Sequence, residues 1–198
     1  IKLYCGFDPS APSLHIGNAI LINKLAQFQE LGHEVVFLIG DFTARIGDPS
    51  GRSVLRKTLQ DAEIADNART YTAQVSKVLD FKKVKVVFNS QWYNTMSILD
   101  LLKLTMHATV SQMLARADFK KRLELKQDVS MLEFMYPILQ GYDSVVLESD
   151  IEIGGTDQIF NLLMGRDIQK DYGLIPQVVL TMPLLEGTDG QQKMSKSY

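Results

Sequence analysis

The strongest constraint on the fold is an alternation in the first ninety residues. Three short apolar runs, IKLYCGF (1–7), EVVFLIG (34–40) and VKVVFNS (84–90), are separated by stretches with helical spacing at 14–31 and 60–79. After Glu34 the second run has no polar position, the mark of a strand covered on both faces. In 14–31 the apolar residues Ile16, Ile20, Leu21, Leu25 and Phe28 share a helical face, and Gly32 marks its end. The first run stops at Asp8-Pro9, and DFTARIGDPSGRS (41–53) reads as a loop dense in turn residues. Strand, helix, strand, helix, strand calls for a parallel sheet with right-handed crossovers.

The middle is different. From about 92 to 144 the spacing gives helical segments at 97–106, 109–122 and 131–143, and the charged stretch RADFKKRLELKQD (116–128) reads as a solvated face. The α/β pattern returns with VVLESDIEIGG (145–155), a helix at 156–172 and the strand PQVVLTM (176–182). The expected class is α/β, a Rossmann-type parallel sheet whose halves (1–91 and 145–198) are split by a helical insertion (92–144). A net charge of −2 gives no whole-chain attraction to nucleic acid, so such a partner would need a local basic patch or a further domain. The single cysteine, Cys5, excludes an internal disulfide and a cysteine-built zinc site, and fits a reducing compartment. No apolar run reaches the length of a membrane span, and no signal peptide opens the chain. The start on a strand-like run and the end at KMSKSY read as those of a fragment.

Four stretches carry candidate chemistry. YCGFDPSAPSLHIGN is a strand end, a turn and a helix start, the place where parallel sheets bind ligands. The first helical turn offers unpaired N–H groups to a phosphate. His15 and Asn18, three residues apart, project from one side of that turn, and Gly17 leaves room for a ligand. The same residues also read as a plain helix start, with Ser13 as N-cap and His15 on the surface. KMSKS (193–197) places Lys193 and Lys196 three apart after EGTDGQQ, a cationic loop suited to clamping phosphates, or simply a solvated one. YPILQGYD sets Tyr136, Gln140 and Asp143 on one stripe of a helix, where polar groups need either partners or solvent. GGTDQ ends a strand and opens a helix, a position for ribose recognition or for an N-cap at Thr156 or Asp157.

Taken together, HIGN and KMSKS resemble the two signatures of the class I aminoacyl-tRNA synthetases. YCGFDPSAPSLHIG, IGDPSG, YPILQGYDS and IGGTDQ resemble the bacterial tyrosyl-tRNA synthetases, and the resemblance covers essentially the whole chain. It implies a class I catalytic core, a cytoplasmic homodimer joined through the helical insertion, and an anticodon-binding region C-terminal to Tyr198. The implied reaction makes tyrosyl-adenylate and pyrophosphate from L-tyrosine and ATP, then passes tyrosine to tRNA(Tyr). Magnesium would accompany ATP, with no dedicated protein cage.

The resemblance also implies roles. Asp143 would accept a hydrogen bond from the substrate phenol, and Tyr4 would donate to the same oxygen. Tyr136, Gln140 and Gln158 would hold the ammonium, with Asp48 as a further acidic partner, and Asn89 and Trp92 would stand behind them. Cys5, Gly6 and Asp8 would lie under the nucleotide, Ser10 at its terminal phosphate, and His15, Gly17 and Asn18 along its phosphate-and-ribose edge. Gly155 would present backbone, Asp157 would take ribose hydroxyls, and Leu184 and Leu185 would meet adenine. Lys193, Lys196 and Ser197 would close on pyrophosphate, with Arg52 and Arg56 as a second cationic arm. Asn18 stands where many relatives carry a second histidine, and its amide can still donate one hydrogen bond. A tryptophanyl-type synthetase is the nearest rival, and Asp143 facing Tyr4 argues against it because an indole has no hydroxyl. A small-molecule nucleotidyltransferase lacks the QGYDS and GGTDQ strings. A non-catalytic RNA-binding relative would not need His15, the loop lysines and Asp157 intact.

Overall fold

Each of the three apolar runs forms a strand in the computed structural model, which describes residues 1–50, 59–188, 190, 193 and 194. The first half runs β1 (Lys2–Phe7), α1 (Ile16–Glu30), β2 (Glu34–Ile39), α2 (Asp61–Val75) and β3 (Val84–Phe88). Helices α3 (Ser90–Tyr93), α4 (Ile98–Leu104), α5 (Val110–Leu114), α6 (Ala117–Glu124) and α7 (Met131–Leu147) follow. The chain then returns to β4 (Ile151–Gly155), α8 (Ile159–Asp171) and β5 (Val178–Met182). The strands make one parallel sheet in the order β3-β2-β1-β4-β5.

Successive strand residues point to opposite faces, and both faces are covered. Leu3, Cys5 and Phe7 of β1 and Val35, Phe37 and Ile39 of β2 pack with Ile22 and Leu25 of α1 and Ala68, Tyr71 and Val75 of α2. Tyr4, Val36 and Leu38 turn the other way, toward Leu147 of α7. Helices α7 and α8 approach closely at two glycines. A Cβ on Gly141 would stand 3.2 Å from the Gly165 nitrogen and 3.3 Å from the Met164 carbonyl carbon. That contact sets the inward side chains of both helices against the sheet at β4.

Three sequence expectations are corrected. The stretch 145–155 is not strand throughout: α7 continues to Leu147, ends on Glu148 in the left-handed conformation (φ 46°), and β4 starts only at Ile151. Val145 belongs to the apolar cluster under α7 and Leu147 to the one at the sheet, so packing overrides their β-branched or apolar local preference. The charged stretch 116–128 is not uniformly solvated either. Arg116 and Arg122 are buried. Arg116 binds Asp118 through two nitrogens (3.0 and 2.7 Å), and Arg122 binds Glu133 (2.5 and 3.1 Å). Arg116 turns inward between α5 and α6, which is where the single helix expected over 109–122 divides.

Candidate functional site

The sheet order reverses direction between β1 and β4, and a cleft opens where these strands end, the place such sheets leave free for a ligand. Into it β1 and its turn bring Tyr4, Cys5, Gly6, Asp8 and Ser10, and the start of α1 brings His15, Gly17 and Asn18. Helix α7 adds Tyr136, Gln140 and Asp143 from the stripe its spacing predicts. Asp48, Gly155, Asp157, Gln158, Leu184, Leu185 and Lys193 also line it, as does Glu152. Asn89 and Trp92 stand behind Asp143 rather than on the wall. Arg52, Arg56, Lys196 and Ser197 lie outside the described residues.

At the deep end, Asp143 is buried and receives three donors. Its Oδ1 accepts from Trp92 Nε1 (3.0 Å) and from the Tyr93 hydroxyl (2.9 Å), whose single proton is shared with the Leu139 carbonyl oxygen (2.5 Å), and its Oδ2 accepts from Asn89 Nδ2 (3.3 Å). A carboxylate has about four acceptor positions, so one remains, on Oδ2. Burial pushes the Asp143 acid above its ordinary range, and the three donors pull the other way by favouring the anion. The Tyr4 hydroxyl is 2.7 Å from Ser144 Oγ. Burial, then the charges of Glu152 and Asp143, hold it protonated well above the usual phenol range. Tyr4 and Asp143 were expected to share one outside oxygen; within the protein each has partners of its own, Ser144 for the first and the Trp92–Tyr93–Asn89 trio for the second.

The middle of the cleft is a polar floor. Gln158 Nε2 donates to Asp48 Oδ2 (2.6 Å) and Gln140 Nε2 to Glu152 Oε1 (3.0 Å). Asn161 Nδ2 donates to Gln140 Oε1 and Gln158 Oε1, both at 2.9 Å. Tyr136 joins the opposite wall: its hydroxyl donates to Asp8 Oδ2 (2.8 Å), a residue the sequence reading assigned to the nucleotide. Sequence reasoning missed Tyr93, Ser144, Glu152 and Asn161. The last had a signal, since it lies three residues past Gln158 on one helical face.

At the outer end, the helix-start reading with Ser13 as N-cap is corrected: His15 is the N-cap of α1. Its Nδ1 accepts from the Gly17 N–H (3.1 Å), and Asn18 Oδ1 accepts from the His15 N–H (3.0 Å). A Cβ at Gly17 would stand 3.0 Å from the His15 ring, so the glycine makes room for the cap as well as for a ligand. With Oδ1 engaged, Asn18 keeps its amide N–H groups for an outside acceptor. Lys193 forms an ion pair with Asp157, so the expected phosphate clamp sits on the expected ribose ligand. Gly155 is needed here, because a Cβ would come within 2.5 Å of Asp157 Oδ1 and 2.9 Å of Leu184 Cδ2. Burial, then the charge of Glu152, pushes the Cys5 thiol far above its ordinary value, so it stays a thiol. Among the described residues, no group of three His, Cys, Asp or Glu side chains could hold a metal ion, and no helix is long and apolar enough to cross a membrane.

The family model for class I tRNA synthetases of the W and Y type matches residues 1–198. A tyrosine–tRNA ligase of Xanthomonas campestris is 58% identical over 197 residues, covering 100% of this chain and 49% of that protein. The chain thus spans about half the length of the curated relatives it matches. A C-terminally truncated mitochondrial tyrosyl-tRNA synthetase of Aspergillus nidulans superposes with a TM-score of 0.84 at 27% identity, over 96% of this chain and 62% of that one. The tyrosyl-tRNA synthetase of Archaeoglobus fulgidus, solved with L-tyrosine, gives 0.79 at 29% identity, over 99% of this chain and 58% of that one.

Proposed function

Because the chain belongs to the class I tRNA synthetases of the tryptophan and tyrosine type, we propose that it is the catalytic part of a tyrosine–tRNA ligase. The reaction is formation of tyrosyl-adenylate and pyrophosphate from L-tyrosine and ATP, followed by transfer of tyrosine to tRNA(Tyr). The observation that carries this reading is the unfilled acceptor position of Asp143 at the closed end of the cleft. A phenol O–H fills it; the donor-bearing edge of an indole is displaced from that point by its second ring.

Tyrosine then lies with its phenol between Asp143 and Tyr4. Its ammonium sits over Gln140 Oε1, Gln158 Oε1 and Asp48, and its carboxylate points toward the N-terminus of α1. The carboxylate is already ionised, so no general base is needed. It attacks the α-phosphorus in line, one C–O–P bond forms, and pyrophosphate leaves with its electron pair. Catalysis is positioning plus stabilisation of charge on the phosphates. Ser10, His15 and Asn18 act from one side and the loop lysines Lys193 and Lys196, with Ser197, from the other, while Arg52 and Arg56 supply a second cationic arm. Ribose hydroxyls arriving at Asp157 replace its ion pair with Lys193, which frees that lysine for the pyrophosphate. Magnesium enters as part of the nucleotide substrate, its ligands mainly phosphate oxygens and water.

The partners are L-tyrosine, ATP and tRNA(Tyr), in the cytoplasm. The exposed apolar side chains Ile98 (79%), Met106 (81%) and Met131 (74%) of the helical insertion support a homodimer formed through that face. ATP–pyrophosphate exchange by the full-length protein, tried with each of the twenty amino acids, tests the reading. Tyrosine alone should support exchange; exchange driven by tryptophan, or by none of them, would overturn it.

A further inference from the structure

Beneath the middle of the cleft runs a chain of amide side chains whose two ends are ions. Arg116, a donor only, lies 4.7 Å from the Phe119 ring centre and 4.9 Å from that of Phe160. Its Nη1 donates to Asn161 Oδ1 at 2.7 Å. That fixes the Asn161 amide, so its Nδ2 donates to the carbonyl oxygens of Gln140 and Gln158. Gln140 must then donate onward, and its Nε2 meets Glu152 Oε1 at 3.0 Å. Glu152 is 1% exposed. Its Oε2 also accepts from Ser144 Oγ (3.2 Å) and Gln177 Nε2 (2.5 Å). Its partners, with the Tyr4 hydroxyl as a fourth, are all neutral, and a carboxylate, which only accepts, matches donors arriving from each of them.

An ammonium donates and cannot accept, so whatever binds it must turn oxygens toward it. A glutamine amide can present either edge. We propose that Glu152 is a positioning residue for the ammonium of the bound amino acid: by accepting from Gln140 it keeps that carbonyl oxygen turned to the cleft, and Arg116 imposes the same polarity from the far end. The inference rests on the tyrosine reading above. Tyr4 and Glu152 are register partners on β1 and β4. Glu152 therefore lies between the two ends of the substrate pocket, and its direct contact on the ammonium side is Gln140.

The titratable groups around Glu152 are Tyr4 and Cys5 of β1 and Asp143 of α7. From the α8 side Gly165 lies against it, and from the approach to β5 Gln177, neither of them titratable. Burial pushes its acid up to about 7, against the pull of its hydrogen bonds. On protonation one of its oxygens becomes a donor among donors, Gln140 loses the acceptor for its NH2 group, and its orientation is then held from the Asn161 side alone.

Equilibrium binding of L-tyrosine to the full-length protein without ATP tests this, beside 3-(4-hydroxyphenyl)propionate, which lacks the ammonium. Between about pH 8 and about pH 6 the carboxylate fraction of a group titrating near neutrality falls about tenfold, and tyrosine affinity should fall about tenfold with it. The des-amino acid should change less than about twofold. Glu152→Gln should bind tyrosine about tenfold more weakly at the upper pH, with a flat profile. The same slope for both ligands, or a slope that persists in Glu152→Gln, overturns the proposal. The two-ligand comparison in the wild-type protein decides even if the variant does not fold. A flat wild-type profile with normal tyrosine binding overturns this inference alone, whereas no tyrosine binding and no tyrosine-dependent exchange overturns the functional reading with it.

Discussion

Replacing Asp143 by asparagine leaves shape almost unchanged and alters only hydrogen-bond capacity. The native carboxylate takes two donors on Oδ1, from Trp92 and Tyr93, and one on Oδ2, from Asn89. An asparagine must put its NH2 on one of these sides. On the Oδ1 side it faces the Trp92 and Tyr93 donors. On the Oδ2 side it faces the Asn89 amide and also removes the acceptor held ready for the phenol. A buried donor left without an acceptor costs about 1–3 kcal/mol, or about 5- to 150-fold in an equilibrium or rate. Asparagine is expected to choose the Oδ2 side, because Asn89 Nδ2 has a second acceptor there in Thr43 Oγ1 (3.1 Å), which makes that donor conflict the smaller one. The loss then falls on tyrosine and spares phenylalanine, which brings no hydroxyl. The assay is ATP–pyrophosphate exchange with each amino acid. The expected result is a drop of about 5- to 150-fold in kcat/KM for tyrosine, with phenylalanine changed far less, so that the ratio between them narrows. An equal drop for both amino acids, or an unchanged ratio, would refute the assignment of the last acceptor position to the phenol.

Gly165→Ala should destabilise the protein despite the better helix propensity of alanine. The new Cβ would stand 2.6 Å from Ser144 Oγ, 2.8 Å from Gln177 Nε2 and 3.2 Å from Glu152 Oε2. Ser144 can evade it only by leaving Tyr4, so an overpacking cost of about 1–3 kcal/mol should exceed the propensity gain of about 1 kcal/mol; urea unfolding reads the sign, and a more stable variant would contradict the packing described. Stability should also carry the signature of Glu152. Its acid is pushed up from 4.5 to about 7 in the folded state, so the fold binds that proton more tightly than the unfolded chain does. No penalty exists below the unfolded value, and it grows to about 3 kcal/mol as pH rises through the folded one. The unfolding free energy of Glu152→Gln minus that of wild type should therefore rise by up to this amount between about pH 4.5 and about pH 8, and a constant difference would show that Glu152 titrates normally.

The fold was legible because the strands of a covered parallel sheet are written as mainly apolar runs, and β1, β2 and β3 fall where those runs lie. The end of α7 was not, because Val145 and Val146 favour strands locally, and it is the packing of Val145 and Leu147 that carries the helix through them. Motif residues such as His15, Asp143 and Asp157 were legible as candidates, since each sits at a turn or on a polar stripe of an apolar helix. The hydrogen-bond partners of Gln140 and Glu152 were not, because Ser144, Asn161 and Gln177 become neighbours only where α7, α8 and the approach to β5 meet. Glu152 is the instructive case. Between Ile151 and Ile153 it reads as the outward position of an alternating strand, yet a strand inside a doubly covered parallel sheet has no outward face. An acid at such a position is buried, and it persists only where donors converge on it. Arg116 makes the same point from a block of charges that looks solvated. An amide has two edges that no sequence distinguishes, so the direction of the Arg116–Asn161–Gln140–Glu152 chain is written only by its ends. Whichever residue removes an ion from one end should free the amides between them to turn.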